Sequence, residues 1–408
     1  MDDTRFFPKP PEPSEGHAPG QFLKRQDFHL FSKEKLTGMR ILVANPGSST
    51  LKLSIHEGSK SISPHTVELH ENTKLLDRAL TDWLESKDGH RADGCGVRIV
   101  HGGTSFRGPV LVNDSVLETL RSLCPLAPLH MEGAIRTIDS VKRTLPHLPI
   151  VASFDTAFHQ TIPPEGFRYA IPDQWFREWG VRKYGFHGLS YDWLSHRLGE
   201  LVTQEVRSKT VALHLGSGAS ACAIRDGKSV DTTMGMTPMD GLVMGTRSGS
   251  LDPGILFYLH RIGVPIQTIE EDLNHRSGLL GLSELSSDYR VLEAAAKEGN
   301  PDARMAIRIA AYRTAGAVAS LAVPLEGLSC LVFTGGIGEH APGFREEVCR
   351  MLLFLGVWLD PEKNRTLPHA DRQDRCISRE GSPVSVWVIE TQEDWRVAEN
   401  VRQVLSGT

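Results

Sequence analysis

Two fourteen-residue stretches of this chain align without a gap: NPGSSTLKLSIHEG at 45–58 lies over HLGSGASACAIRDG at 214–227. Gly47 matches Gly216, Ser48 matches Ser217, Ile55 matches Ile224, Gly58 matches Gly227, and Glu57 faces Asp226. Each copy reads as apolar strand, small-residue turn, strand. Gly and Ser are common in turns, so two unrelated hairpins would share some of this. Chemistry and spacing agree together, which favours a duplication.

A third small-residue turn, Thr334-Gly335-Gly336-Ile337-Gly338-Glu339, follows the apolar run 328–333. Helical spacing marks 302–323, 344–355 (with Pro342-Gly343 at its entry) and 392–405, and strand patterns mark 148–154 and 384–389. Strands alternating with helices predict an α/β architecture with substantial parallel sheet.

A chain of 408 residues is long enough for two or three domains. Its net charge of -5 argues against a general nucleic-acid binder, which needs a basic face. A small anionic substrate stays open, because a few local Arg residues suffice for it. The six Cys form no C-x-x-C pair, so neither a disulfide framework nor a zinc ribbon is indicated, and a reducing compartment is expected. No apolar run approaches the roughly 18 residues of a membrane span. The start Met1-Asp2-Asp3 lacks the features of a secretory signal. Residues 1–37 are Pro-rich and without hydrophobic period, which predicts a disordered tail, with a polyproline-type ligand at Pro8-Lys9-Pro10-Pro11 as the functional alternative.

Two Gly-Ser turns at strand ends suit two phosphate cradles, since small residues let backbone N–H groups approach phosphate oxygens. Asn45, Ser48, Ser49 and Thr50 add side-chain contacts and Lys52 a charge. No P-loop or dinucleotide fingerprint occurs. Arg98 in GVRIVHGG and Arg247 in MGTRSGS sit where they could grip a carboxylate or a transferring phosphoryl group; for Arg98 a salt bridge at a strand end is the alternative. Asp155 ends an apolar strand, so it faces a crevice or caps the next helix. His101, His130, His187 and His214 are read at strand-turn edges, either facing phosphate or held structurally. None of these pairs at metal-ligand spacing. A nucleotide would bring Mg²⁺ with it, held by one or two carboxylates and the phosphates.

The chain resembles the acetate kinase family, of the sugar kinase, actin and heat-shock chaperone superfamily, from Ile41 to about Ala398. ILVANPGSSTLKL, VRIVHGG, LAPLH, FDTAFHQTIP, RKYGFHG, HLGSGAS, GKSVDTTMGMTP, GLVMGTRSG, SGLLGLSELSSDYR and FTGGIGEH stand in family order. The resemblance implies a two-lobed, duplicated ribonuclease H-like (actin-like ATPase) fold with a cleft between the lobes. One lobe would hold 38–157 plus 391–408, and the other 158–390. It implies reversible phosphoryl transfer from ATP to acetate or another short carboxylate. The enzyme would be a cytoplasmic homodimer without nucleic-acid or membrane partners. Arg98, Asp155, His187 and Arg247 would be catalytic, and Val100, Leu129, Phe186 and Pro238 would line the acyl pocket with Arg98 as carboxylate ligand. ATP or ADP would lie along Ser48, Thr50, Lys52, His214, Leu215, Gly216, Ser217, Gly218, Asp288, Tyr289, Arg290, Gly336, Ile337, Gly338, Glu339 and His340. Asn45 and Glu393 would hold Mg²⁺, for which Mn²⁺ can stand in.

Several positions depart from the family pattern: Ser217 for the usual Asn, Leu189 and Tyr191 in H-G-T-S-H, Met131-Glu132 after LAPLH, Ser250 for Asp, and Pro46 for Ala. A propionate or butyrate kinase and a phosphate- or pyrophosphate-linked enzyme are the alternatives within the family. A nucleotide-gated interaction module is the alternative outside it.

Overall fold

Apolar runs with few polar interruptions build the centre of the chain, as expected of strands buried on both faces. The computed structural model describes residues 38–47, 50–58, 60–68, 77–78, 81–83, 92–366 and 374–407. The tail expected at 1–37 lies outside the described residues. The first sheet contains β1 (Arg40–Pro46), β2 (Thr50–Glu57), β3 (Lys60–Glu68), β4 (Gly94–Ile99), β5 (Val110–Leu111) and β6 (Ile150–Phe154), in the order β3-β2-β1-β4-β6-β5. The second contains β7 (Lys209–Leu215), β8 (Ala219–Arg225), β9 (Lys228–Thr232), β10 (Cys330–Thr334), β11 (Arg375–Cys376) and β12 (Ser385–Val388), in the order β11-β12-β10-β7-β8-β9.

These two sheets have one plan. β3-β2-β1 and β9-β8-β7 are antiparallel, and β1-β4-β6 and β7-β10-β12 are parallel. A short strand, β5 or β11, closes each parallel end antiparallel to its neighbour. The ungapped offset of the sequence repeat carries β1 onto β7 residue for residue. The similarity of the two Gly-Ser hairpins is therefore a property of two duplicated sheets.

Period-two alternation decides what covers each face. In β1, Leu42 and Ala44 meet Met131 and Ile138 of helix Pro128–Thr144, while Ile41 and Val43 meet Val397 and Val401 of helix Glu393–Ser406. The end of the chain thus returns to the first sheet. In β7, Val211 and Leu213 meet Ala306, Ala310 and Val318 of helix Pro301–Leu325. On the opposite face Ala212 meets Leu194 and Leu198 of helix Gly188–Leu201. Helix Pro301–Leu325 is long and apolar enough to cross a membrane by length and composition, which differs from the expectation that no such run exists. Its alanine-rich stripe is spent on the sheet, as a core helix requires.

Candidate active site

In an open α/β sheet, chemistry gathers beyond the carboxyl ends of parallel strands. Here both sheets supply such ends. Asn45 closes β1, Arg98 lies near the end of β4, and Asp155 directly follows β6. Arg98 donates from Nε and Nη2 to the two Asp155 oxygens at 2.9 and 2.7 Å. Its Nη1 donates to Glu393 Oε2 at 2.9 Å and lies 3.4 Å from Asn45 Oδ1. Asp155 is 1% exposed and does not cap the helical turn that follows. Burial disfavours the Arg98 charge, but Asp155 and then Glu393 outweigh it and hold the guanidinium firmly protonated. Burial likewise pushes the Asp155 carboxyl up, and the bidentate guanidinium opposes that shift.

Glu393 begins the helix that covers the first sheet, and its Oε1 is buried with no hydrogen-bond partner among the described residues. Beside it, Asp394 Oδ1 accepts from Asn45 Nδ2 at 2.9 Å. That bond aims the Asn45 carbonyl oxygen at Arg98. A hard cation takes carboxylate and amide oxygens of this kind, completing its shell from phosphates and water. The residues present therefore fit a Mg²⁺ bound mostly through its nucleotide.

His214 lies on β7, and His187, which directly precedes helix Gly188–Leu201 and not a strand, stacks its ring on it at 4.3 Å between centroids. His187 has φ +57°, a left-handed conformation uncommon for a residue with Cβ and characteristic of functional sites. The next residue must be glycine: a Cβ on Gly188 would lie 2.0 Å from the Asp155 carbonyl oxygen. Gly188 N donates to that oxygen at 2.9 Å, joining the His187 turn to the end of β6. His187 Nδ1 pairs with Ser220 Oγ at 2.8 Å, and His214 Nδ1 with Ser190 Oγ at 2.9 Å. Burial, then His214, Arg98 and Arg247, hold His187 well below the usual imidazole range. His214 is lowered to about 4, by burial and then Arg98. Both rings are neutral near pH 7, as face-to-face stacking requires.

Arg247 donates to the Pro238 carbonyl oxygen at 2.6 Å and has no acidic partner among the described residues. A Cβ on Gly218 would lie 2.8 Å from Arg247 Nη2 and 3.4 Å from His187 Nε2, so glycine there keeps both groups open to the site. These groups share one cavity of about 360 Å³, lined also by Asn45, Thr50, Lys52, Arg98, Val100, Asp155, Phe186, His214, Gly216, Ser217, Pro238 and Glu393. A larger cavity of about 1300 Å³, with Tyr169, Lys183, Arg308, Tyr312 and Phe354 in its walls, contains none of the expected catalytic, substrate, nucleotide or metal residues, although Ser250, one of the departures from the family pattern, lines it. Titratable groups converge on the smaller one, and that convergence marks an active site better than size.

Other expected residues stand apart from the cavity. The stretch read as a turn after β10 is a short helix, Gly335–His340, whose first residue, at φ +77°, lies against the backbone of Leu215 beside the His214–Gly218 turn. A Cβ on Gly336 would meet open space, and the His340 side chain is exposed. Ile337 is half-buried against the core, Gly338 is buried, and the Glu339 carboxylate turns inward to accept from Gly335 N and Thr391 N. Asp288 caps helix Tyr289–Lys297 and pairs with the exposed Arg290. Tyr289 is buried edge-on against Phe344, so its ring is a core group. Ser48 and the side chain of Leu129 lie outside the described residues.

Of the other two histidines, His101 follows β4 at a strand-turn edge as expected, and His130 does not. His101 is fully buried against Tyr184 and Phe186 and does not line the cavity. His130 sits in the first turn of helix Pro128–Thr144, not at a strand edge, and does line it. Burial, Arg247 and Arg98 lower its pKa. A contributor missed from sequence is Asp394; its signal was a second acid directly after Thr391-Gln392-Glu393.

The profile of the Acetokinase family matches residues 60–399. The acetate kinase of Deinococcus radiodurans is 46% identical over 314 residues, which is 76% of this chain and 78% of that protein. The crystal structure of Porphyromonas gingivalis acetate kinase superposes with a TM-score of 0.82 at 34% identity, covering 90% of this chain and all of that one. A propionate kinase from Francisella tularensis superposes with a TM-score of 0.83 at 36% identity, covering 90% and 99%.

Proposed function

This chain belongs to the acetokinase family, and we propose that it is an acetate kinase, transferring the γ-phosphoryl group of ATP reversibly to acetate to give acetyl phosphate and ADP. One observation carries the reading: the half-buried Arg247, without an acidic partner among the described residues, faces Arg98 and neutral His187 across one small cavity. Such a site is built for anions.

The chemistry follows from charge. Acetate is ionised at pH 7 and needs no general base. The obstacle is bringing two anions in line and neutralising the moving phosphoryl group. Arg98, held by Asp155, receives the acetate carboxylate, and Val100, Phe186 and Pro238 enclose its methyl group. Arg247 and the His187 ring meet the phosphoryl oxygens. Asp155 acts as the support of Arg98, not as a base. Asn45 and Glu393 would hold Mg²⁺, which when bound neutralises phosphate charge. Residues 38–157 with 391–408 form one lobe and 158–390 the other, and their approach excludes water from the transfer. The nucleotide lies along the His214–Gly218 turn and the adjoining short helix at 336–340.

The same reading includes a homodimer. It is supported by exposed Tyr312, Val323, Leu353 and Phe354 on the second lobe. Six unpaired cysteines suit a reducing, cytoplasmic setting. The specific alternative is a propionate kinase, favoured by the likeness to the Francisella tularensis structure. Steady-state kinetics with formate, acetate, propionate and butyrate, each crossed with ATP, GTP and pyrophosphate, test the reading. The highest kcat/KM is expected for acetate with ATP. Equal or higher kcat/KM for propionate moves the assignment to the alternative.

A further inference from the structure

Behind His187 runs a hydroxyl chain that the family pattern does not contain, because it begins at Tyr191, one of the departures in His187-Gly188-Leu189-Ser190-Tyr191. Tyr191 is fully buried, and its hydroxyl lies 2.5 Å from Ser220 Oγ. Ser220 Oγ in turn lies 2.8 Å from His187 Nδ1. We propose that Tyr191 is a positioning residue: through the Ser220 hydroxyl it holds His187 in the tautomer with its proton on Nε2, so that a neutral N–H donor faces the transferring phosphoryl group. The proposal rests on the phosphoryl-transfer reading of the site.

Proton counting gives the direction. Tyr191 is a neutral phenol with one hydrogen to give, and in a fully buried position that hydrogen must find an acceptor. Ser220 Oγ is the acceptor within reach of that hydrogen. The serine hydrogen is then free for His187 Nδ1, which must accept and carry no proton. A neutral imidazole with Nδ1 unprotonated carries its hydrogen on Nε2. Nε2 is the atom near Gly218 and Arg247, on the cavity side. The opposite tautomer would present a lone pair to phosphate oxygens, which repels them. Burial raises the Tyr191 pKa well above the usual phenol range, so the chain keeps its starting proton throughout the working pH range.

Geometry also shows why sequence alone would not suggest it. Tyr191 reaches Ser220 from helix Gly188–Leu201, whose first turn follows His187, while Ser220 stands on β8. Three residues far apart or on different elements meet only because helix and strand pack face to face.

The test compares Tyr191→Phe, Ser220→Ala and the double variant. Tyr191→Phe keeps the ring and removes only the donor. Each single variant is expected to lower kcat by about 10- to 100-fold, the scale seen when a partner that orients a histidine is lost. KM for acetate and ATP and the melting temperature should change little. The double variant should be no worse than Ser220→Ala alone, since both cut one chain. Wild-type kcat in Tyr191→Phe, a loss confined to KM, or additive losses in the double variant overturn the proposal. ¹⁵N-histidine NMR of the wild-type protein reads the tautomer directly and needs no activity. A protonated Nδ1 on His187 overturns the proposal even if every variant folds poorly, and a protonated Nε2 with unprotonated Nδ1 supports it. Absence of acetate and propionate phosphorylation by the wild-type enzyme would overturn the phosphoryl-transfer reading instead, with the tautomer still measured.

Discussion

Arg98 and Asp155 form a bidentate pair, Nε to Oδ1 at 2.9 Å and Nη2 to Oδ2 at 2.7 Å, on the ends of two adjacent parallel strands. The pair fixes the plane of the guanidinium at the mouth of the cavity. Arg247, across the site, is held only by a carbonyl oxygen. One arginine belongs to a stable network and the other waits for an anion, and this asymmetry separates what their removal does.

Arg98→Ala and Arg247→Ala should each lower kcat by at least about 100-fold, the scale of losing a transition-state donor. Their stabilities should diverge. Removing Arg98 strands two carboxylates, Asp155 and Glu393, at a cost of about 3–5 kcal/mol. Removing Arg247 strands none and relieves a half-buried cation, so its melting temperature should hold or rise. Turnover near wild type in either folded variant, or equal stability losses, would contradict the assignment.

Gly218→Ala and Gly188→Ala should fail differently. At Gly218 the new methyl meets the far end of the Arg247 side chain at 2.8 Å, which can move aside. The protein should fold normally and lose kcat, because Arg247 leaves its place. At Gly188 the methyl meets the Asp155 carbonyl at 2.0 Å, a backbone atom that cannot move alone. That variant should lose stability first. Melting curves and kcat for both distinguish the outcomes, and a fully active Gly218→Ala would argue that Arg247 is not confined there.

Stability should fall on acidification below neutrality. Burial lowers His101, His159 and His214 from an ordinary 6.5 to about 4, and His187 is lowered too. Between these values the unfolded chain binds more protons than the folded one, so stability rises with pH across that window. It is complete above about pH 6.5 and is lost as pH falls toward 4. Each histidine contributes up to about 1.4 kcal/mol per pH unit there. Melting temperatures from pH 4 to 8 check this. A flat profile between 6.5 and 4 would show that these rings are not neutral and buried together.

Val100→Ala should favour the longer acid. Val100 lines the cavity and is 9% exposed. Removing wall opens room for one methylene, worth about 0.8 kcal/mol, so kcat/KM for propionate relative to acetate should rise roughly four-fold. Acetate itself should bind somewhat worse. If Val100 only packs its strand end, the variant loses about 1–3 kcal/mol of stability and the ratio stays put.

Much of this was legible in the chain because the deciding features are local. The repeat at 45–58 and 214–227 marked two hairpins, and the structure extends it to two sheets of one topology. Runs such as RILVA and CLVFT read as strands because both faces are buried, and helices 302–323 and 392–405 were found to within a few residues. Arg98, Asp155, His187, Arg247 and Glu393 were singled out from turns and motif positions, and all five line one cavity. His130 and His187 are the two that do not sit at strand edges: His130 lies in the first turn of a helix that Pro128 opens, where its missing N–H costs nothing, and His187 directly precedes another helix.

The sequence by itself determined the strands, the turns and the kinds of side chain that meet phosphate, because period, glycine and proline act over a few neighbouring residues. Which of those side chains face one another was decided only by the tertiary structure. Glu393 lies 295 positions from Arg98, and they meet because the final helix folds back on the first sheet. Tyr289 and Glu339 sat within motifs yet turn into the core and the loop backbone, because packing, not motif position, sets the direction of a side chain. Whether a buried arginine finds an acid or stays open to a substrate is likewise a property of the space between two sheets, where charges distant in the chain become close enough to govern each other.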